Sequence, residues 1–214
     1  MALSDFSGPN FIDDWSTDLD QQWPERQQAF AAVVQRIGSW CDNTVPHLRA
    51  EAALLELGIG ASHLAGAVMD RVDQSPLAGA AYIGLDCESE LLDHAATQLS
   101  QDPTRLDLRQ IDLNSSVWHE NIPPVMIAYS LQSIHDLAGI EALTNIYQRL
   151  FGLLQPEGLM INADFVVPKT DDSASQRRFP GAVHEDLLAR TGFVDFSHTL
   201  HGQLACMSAR RPPQ

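Results

Sequence analysis

Three strand ends in this sequence carry residues able to hold a polar ligand. The first is Glu56-Leu57-Gly58-Ile59-Gly60. Its two glycines let the backbone bend sharply and approach a ligand closely. Glu56 puts a carboxylate two positions before that turn, which suits a cationic aminoacid group. The second is Asp86, directly after Tyr82-Ile83-Gly84-Leu85. A carboxylate there can accept both hydroxyls of a ribose, or it can cap the following helix. The third is Asp112, after Leu108-Arg109-Gln110-Ile111. It can accept a hydrogen bond from an adenine amino group, or serve as an ordinary turn residue. In open α/β sheets, ligands bind beyond the carboxyl ends of the strands, so the three sites belong together.

A nicotinamide site would begin with a similar turn. The dinucleotide motif needs G-x-G-x-x-G, because the third glycine brings helix and strand together around a pyrophosphate. In the register of Gly58 and Gly60 that position is His63. The turn therefore favours a ligand without phosphates, and an oxidoreductase is the weaker reading.

The elements that must position these residues alternate regularly. Trp23-Pro24-Glu25-Arg26 opens a helical stretch, with Phe30, Val33, Val34 and Ile37 at helical spacing. Residues 1–20 show no clear period, and 41–46 read as a break. Strands are expected over 52–57, 80–85, 106–111, 125–130 and 159–165, with helices over 62–72, 89–99, 137–154 and 183–190. Pro156-Glu157-Gly158 reads as a turn. Residues 166–180 hold no convincing element. Two last strands, 193–200 and 203–209, are joined at His201-Gly202, and so short a link makes them antiparallel. The expected fold is α/β, a three-layer sandwich with a mostly parallel seven-stranded sheet ending in an antiparallel hairpin.

Composition limits the function. The chain has 214 residues, 44% hydrophobic and 19% charged, as expected of a globular protein. The formal charge is -15, and the 13 basic residues form no stripe. Nucleic-acid binding draws on cations set against phosphates, so a nucleic-acid partner is not expected. No apolar run approaches the roughly 20 residues of a membrane helix. Met1-Ala2-Leu3-Ser4-Asp5 lacks the pattern of a signal peptide. Cys41, Cys87 and Cys206 are distant and odd in number, which argues against a disulfide framework or a zinc site and fits a reducing cytoplasm. No metal site is expected. Composition leaves the oligomeric state open.

Four segments, in order, resemble the class I S-adenosylmethionine-dependent methyltransferases of the seven-stranded, Rossmann-like, small-molecule type. Leu54-Leu55-Glu56-Leu57-Gly58-Ile59-Gly60 is similar to the family's first motif, and Ile83-Gly84-Leu85-Asp86-Cys87-Glu88 to its ribose-binding motif. Ser130-Leu131-Gln132-Ser133-Ile134-His135-Asp136-Leu137 resembles the segment after the fourth strand. Leu153 to Phe165 resembles the approach to the fifth. The resemblance covers about residues 50–210 and implies one methyltransferase domain over 1–214, with 1–45 as an N-terminal helical cap over the cofactor site. It implies S-adenosyl-L-methionine as cofactor and a small molecule as methyl acceptor. Glu56, Gly58 and Gly60 would hold the methionine part, Asp86 the ribose and Cys87 the adenine edge. Asp112 and Leu113 would contact adenine, and Ser130 would lie near the sulfonium. The chain departs from the family in having Ser62 for a third glycine, Met126 for a frequent aspartate and Leu19 for a frequent tyrosine. A methyltransferase-like binding or partner protein without activity is the alternative.

His135 is the candidate catalytic base. Imidazole titrates near neutrality and can take a proton from an acceptor during methylation. The other reading is a histidine that packs or caps the helix after it. His63, His119 and His184 are weaker candidates. Arg177-Arg178 lies in the irregular stretch 166–180, a candidate lid, where the pair reads as a clamp for an acidic substrate or as solvated side chains.

Overall fold

The computed structural model describes residues 2–43, 53–99, 103–137, 139–168 and 177–213. The expected break at 41–46 and most of the candidate lid fall partly or wholly outside them. The strands are β1 (Ala53–Leu57), β2 (Ala81–Asp86), β3 (Leu106–Gln110), β4 (Val125–Leu131), β5 (Leu154–Phe165), β6 (Val194–His201) and β7 (Leu204–Arg210). The helices are α1 (Phe11–Gln22), α2 (Arg26–Asp42), α3 (His63–Asp73), α4 (Ser89–Gln98), α5 (Gly139–Leu153) and α6 (Gly181–Thr191). The sheet runs β3-β2-β1-β4-β5-β7-β6. Its first five strands are parallel, and β7 is antiparallel to both β5 and β6. The α/β class, the parallel sheet and the closing hairpin are as the sequence implies.

Two apolar layers cover the sheet. β1 is buried at all five positions, as a central parallel strand must be when helices lie on both faces. Leu54 faces the layer of α2 and α3, where Val33, Ile37, Leu64 and Val68 pack. Leu55 and Leu57 face the α5 layer, with Ile146, Tyr147 and Leu150. The pleat sends neighbouring residues to opposite layers, so Glu56 lies on the α2–α3 face.

Two segments differ from the sequence reading. Residues 1–20 include a full helix, α1, because Ile12, Trp15 and Leu19 share one face. Ile12 and Trp15 pack on Ala61 and Leu91. Of α1, only Ile12 and Ser16 are buried. Pro156-Glu157-Gly158 is a kink inside β5 rather than a separate turn. Glu157 takes φ 66°, and the β4–β5 register shifts between Val125 and Ile127.

A chain of buried polar groups runs across the α5–α6 face. Ser130 donates to Asn162 Oδ1 at 3.0 Å, and Asn162 Nδ2 donates to the Tyr147 hydroxyl at 3.2 Å. Tyr147 Oη lies 2.6 Å from His184 Nδ1, and His184 Nε2 lies 3.1 Å from the Phe179 carbonyl. A carbonyl only accepts, so Nε2 carries the proton and Nδ1 receives the tyrosine hydroxyl. Burial lowers the His184 pKa, which keeps the imidazole neutral and suits that tautomer. The chain ties the segment before α6 to β4 and β5.

Candidate functional site

β1 and β4 are neighbours at the middle of the sheet, where the strand order reverses direction. Beyond their carboxyl ends lies a cavity of about 380 Å³, within the range of small-ligand sites. Glu56, Gly58, Gly60, Asp86, Cys87, Asp112 and Leu113 line it. Trp15 and Leu19 of α1 form part of its wall, and α2 adds only its first residue, Arg26, the rest packing beside α3 against the sheet. Seven of the eight expected cofactor residues thus share one cavity.

Ser130 does not line it. The β4 pleat turns its hydroxyl to Asn162 on the opposite face of the sheet. The strand instead contributes Leu131, Gln132 and Ser133 to the wall.

The glycine turn is a network in its own right. The amides of Gly58 and Ile59 both donate to the Leu85 carbonyl, at 2.8 and 2.9 Å. Gly58 has φ 72°, and a Cβ there would come within 2.5 Å of Ser133 Cβ. Ser133 Oγ donates to the Leu57 carbonyl at 2.6 Å. A larger residue at 58 would therefore separate the ends of β1 and β4. Gly60 donates its amide to Asp86 Oδ2 at 3.0 Å, and Glu88 donates to Oδ1 at 3.2 Å. Asp86 thus anchors the turn as well as facing the cavity. Ser62, in place of a third glycine, adopts φ 64° just before α3. That left-handed conformation costs a serine about 1–2 kcal/mol. Asp112 forms an Asx turn, accepting from Asn114 N at 2.8 Å, with its carboxylate still at the cavity.

Glu56 is 1% exposed and accepts hydrogen bonds at Oε2 from Tyr82 and, at 3.0 Å, from Tyr129. Glu56 pairs in register with Gly84 on β2 and Tyr129 on β4. A Cβ at Gly84 would lie 3.0 Å from Tyr82 Cε1 and 2.8 Å from Ile59 Cδ1. The missing side chain lets the Tyr82 ring lean toward the carboxylate. Burial raises the Glu56 pKa to about 8, although the two tyrosine hydroxyls pull it down; the charge of Asp86 adds to the rise. The sequence marks Glu56 but not its tyrosines, which look like ordinary core strand residues. Only the register brings them together.

Four further polar atoms of wall residues are buried without a hydrogen-bond partner among the described residues: Trp15 Nε1, Arg26 Nε, Ser62 Oγ and Gln132 Oε1. Buried groups of this kind are normally satisfied, so they mark places where a polar ligand would bond. Donors, acceptors and five carboxyl groups, of Glu56, Asp86, Glu88, Asp112 and Asp136, surround one cavity, a lining that fits a cationic nucleoside. Among the described residues no cluster of His, Cys, Asp or Glu is arranged to hold a metal ion.

His135 sits apart from that wall. It lies in a 3-10 turn, Ile134–Asp136, directly after β4, and its neighbours Asp136 and Leu137 line the cavity. Its ring turns to the end of β5, where Nδ1 is 2.8 Å from Asp164 Oδ1. Asp164 is buried and also accepts the His135 amide at 2.9 Å and the Phe165 amide at 2.8 Å. Burial is the largest single influence and disfavours the His135 imidazolium, but Asp164 and the charge of Asp136 together outweigh it, and its pKa stands above the ordinary 6.5. Burial would raise Asp164, but His135 and the two amides hold its pKa below the ordinary value. Asp164 carries no motif in the sequence. Its role follows from the β5 pleat, which sends Asn162 and Asp164 to the same face. His63 lines the cavity, and His184 belongs to the buried polar chain. Arg177 is exposed and donates to the Asp136 carbonyl at 3.3 Å, while Arg178 is buried.

No family model matches this chain, and no curated protein sequence is similar to it. Solved structures do match. The chain has the fold of the class I S-adenosylmethionine-dependent methyltransferases. The carbon methyltransferase CurJ superposes with a TM-score of 0.74 at 15% identity, covering 94% of this chain and 59% of CurJ. The trans-methyltransferase CalH, solved with S-adenosylhomocysteine, gives 0.63 at 16% identity, covering 84% of this chain and 54% of CalH. The cyclase SpnF gives 0.61 at 14% identity, over 86% of this chain and 81% of SpnF. The fold is thus shared by proteins with different chemistry. Among the described residues no helix is long and apolar enough to cross a membrane.

The raised Glu56 pKa has a stability consequence. The folded state keeps this proton from the ordinary value of 4.5 up to about 8, while the unfolded chain loses it near 4.5. Stability from this group is full below 4.5, falls between these values and is lost above about 8. Glu56→Gln is therefore expected to raise the thermal midpoint at pH 8 relative to wild type, with a smaller gain at pH 5. An equal shift at both values would contradict a buried, high-pKa carboxyl.

Proposed function

We propose that this protein is an S-adenosylmethionine-dependent methyltransferase acting on a small-molecule acceptor. The observation that carries the reading is the cavity itself: Glu56, Asp86 and four unpartnered polar atoms around about 380 Å³ at the reversal point of the sheet. S-adenosylmethionine, when bound, supplies a methyl group on a sulfonium and so carries the hard chemistry. The protein's share is to bind, orient and exclude water.

Glu56, with Gly58 and Gly60, would hold the cationic aminoacid end. Asp86 would hold the ribose hydroxyls, and Cys87, Asp112 and Leu113 would flank the base. Trp15 and Leu19 of α1, with Ala2, Leu3 and Arg26, are the part of the 1–45 cap that would close the cavity. The formal charge of -15 and the lack of a basic stripe favour a small acceptor over nucleic acid.

His135 and Asp164 form a dyad suited to an acceptor that must lose a proton. Asp164 Oδ1 stands 2.8 Å from Nδ1 and Asp136 Oδ1 stands 3.4 Å from Nε2, so Nε2 would serve the acceptor on leaving Asp136. His135 would be the base and Asp164 the positioning residue.

Calorimetric titration with S-adenosylhomocysteine tests the cofactor part. Wild type should bind, and Asp86→Ala should bind far more weakly while keeping its circular dichroism spectrum. Unchanged affinity in Asp86→Ala would remove the ribose role. Transfer of labelled methyl to small molecules from a metabolite extract tests the activity, and a cofactor-binding protein that labels nothing would fit the inactive alternative.

The dyad has its own test. His135→Ala should cut turnover by about 10²–10⁴-fold while leaving homocysteine-product affinity nearly unchanged. In wild type, turnover should rise with pH through a value above 6.5, since the base must be neutral. Asp164→Asn should move that rise to lower pH. A rise at the same pH in both proteins would leave Asp164 only a packing role.

A further inference from the structure

Arg178 is the least satisfied charge among the described residues. It is 7% exposed, and its Nε and Nη1 have no hydrogen-bond partner among the described residues. No carboxylate stands within ion-pair distance of it among those residues. Its guanidinium instead stacks over Phe165, 3.9 Å from the ring centre, and lies 5.6 Å from the ring of Trp23. Aromatic faces stabilise a guanidinium but leave its in-plane N–H groups unmatched. A buried arginine in this condition is built to receive a planar anion, because its fork meets a carboxylate through two parallel hydrogen bonds.

The neighbours of Arg178 are tied to the fold, Arg177 by its side chain and Phe179 by its carbonyl. Arg177 donates to the Asp136 carbonyl, and the Phe179 carbonyl is fixed by His184 at the end of the buried polar chain. The guanidinium is thus positioned before any ligand arrives, which lowers the cost of binding one.

Arg178 stands behind the cavity wall rather than in it: the lining includes neither Arg178 nor the rings of Trp23 and Phe165 that hold it, but it does include their neighbours. Trp23 lies between Leu19 and Arg26, and both of those line the wall. Its amide bonds to the Leu19 carbonyl, and its own carbonyl accepts from Arg26. Asp136, which Arg177 touches, lines the wall as well, and the His135 ring packs edge-on against Phe165 at 4.9 Å. Arg178 therefore shares Phe165 with the dyad histidine.

The surrounding charge sharpens the argument. Glu56, Asp86, Glu88, Asp112 and Asp136 line the cavity. Arg26, also in the wall, is already paired with Asp20 at 2.5 Å. An acidic lining attracts a cationic cofactor and repels an anionic acceptor. A buried cation beside the dyad, with no carboxylate partner among the described residues, opposes that preference locally.

We propose that Arg178 binds a carboxylate of the methyl acceptor, so that the acceptor is a small organic acid oriented with its reacting atom toward His135. The proposal rests on the methyltransferase reading for the place of the acceptor. Arg178 acts in recognition, and the proton moves through His135.

The test uses the full chain saturated with S-adenosylhomocysteine. The probes are two acid–ester pairs, 4-hydroxybenzoate with its methyl ester and hexanoate with its methyl ester, titrated by ligand-observed NMR at millimolar concentration. At least one acid should bind about tenfold more tightly than its ester. Arg178→Met should abolish that preference while leaving homocysteine-product affinity unchanged. Arg178→Lys, which keeps the charge but not the fork, should fall between. If Arg178→Met fails to fold, Arg178→Lys decides, and full retention of the preference there overturns the proposal. Equal binding of acid and ester, no binding of either acid, or a preference that survives Arg178→Met also overturns it. Failure of wild type to bind S-adenosylhomocysteine is a separate result, since it removes the cofactor reading first and this proposal with it.

Discussion

A carboxyl group in the middle of a parallel sheet is the constraint on which the site depends. Glu56 lies on the same face as Leu54, inside the α2–α3 layer, where an isolated charge is expensive. The fold meets that cost locally. Gly84 leaves space opposite it, and Tyr82 and Tyr129 supply two hydroxyls. Asp86 works the other way, because its charge adds to the difficulty of ionising Glu56. The result is a group that is stable as an acid and ready to become a carboxylate when a cation arrives. Stability given up at a binding site in this way is a common exchange for function.

The sheet pleat separates two tasks. Glu56 and its tyrosines face one layer, and Ser130, Asn162 and Asp164 face the other. The first set shapes the cavity floor. The second set fixes His135 through Asp164 and fixes Phe179 through His184. The two sets meet at the carboxyl ends of β4 and β5, where Gln132 shares the cavity wall with Trp15 and Leu19 and Phe165 packs on Trp23, just after α1. A parallel sheet offers this arrangement because its strands end at one edge.

Much of this was legible in the sequence, for physical reasons. Buried parallel strands read as apolar runs, and helices between them have a 3.6-residue period, so the alternation was readable. Gly58 and Gly60 were readable because their backbone needs glycine. What failed depended on side-chain direction or on distant pairing. Ser130 carries the right residue type at the right strand end, but the pleat turns it away from the cavity. Tyr82 and Tyr129 look like core residues until the register sets them beside Glu56. Asp164 has no local signal, since its partner His135 is 29 residues away. α1 was missed, with only Ile12 and Ser16 of it buried, and Arg178 was read with Arg177 as one pair although only Arg177 is exposed.

The central claim is that Glu56 receives the cationic end of the cofactor. Calorimetry of S-adenosylhomocysteine binding at pH 7, in buffers of different ionisation enthalpy, measures it directly. With a Glu56 pKa of about 8 before binding, the account predicts release of close to one proton at pH 7. That release should fade as the pH is raised through 8 and be absent in Glu56→Gln. Tight binding with no proton released at pH 7 would contradict it.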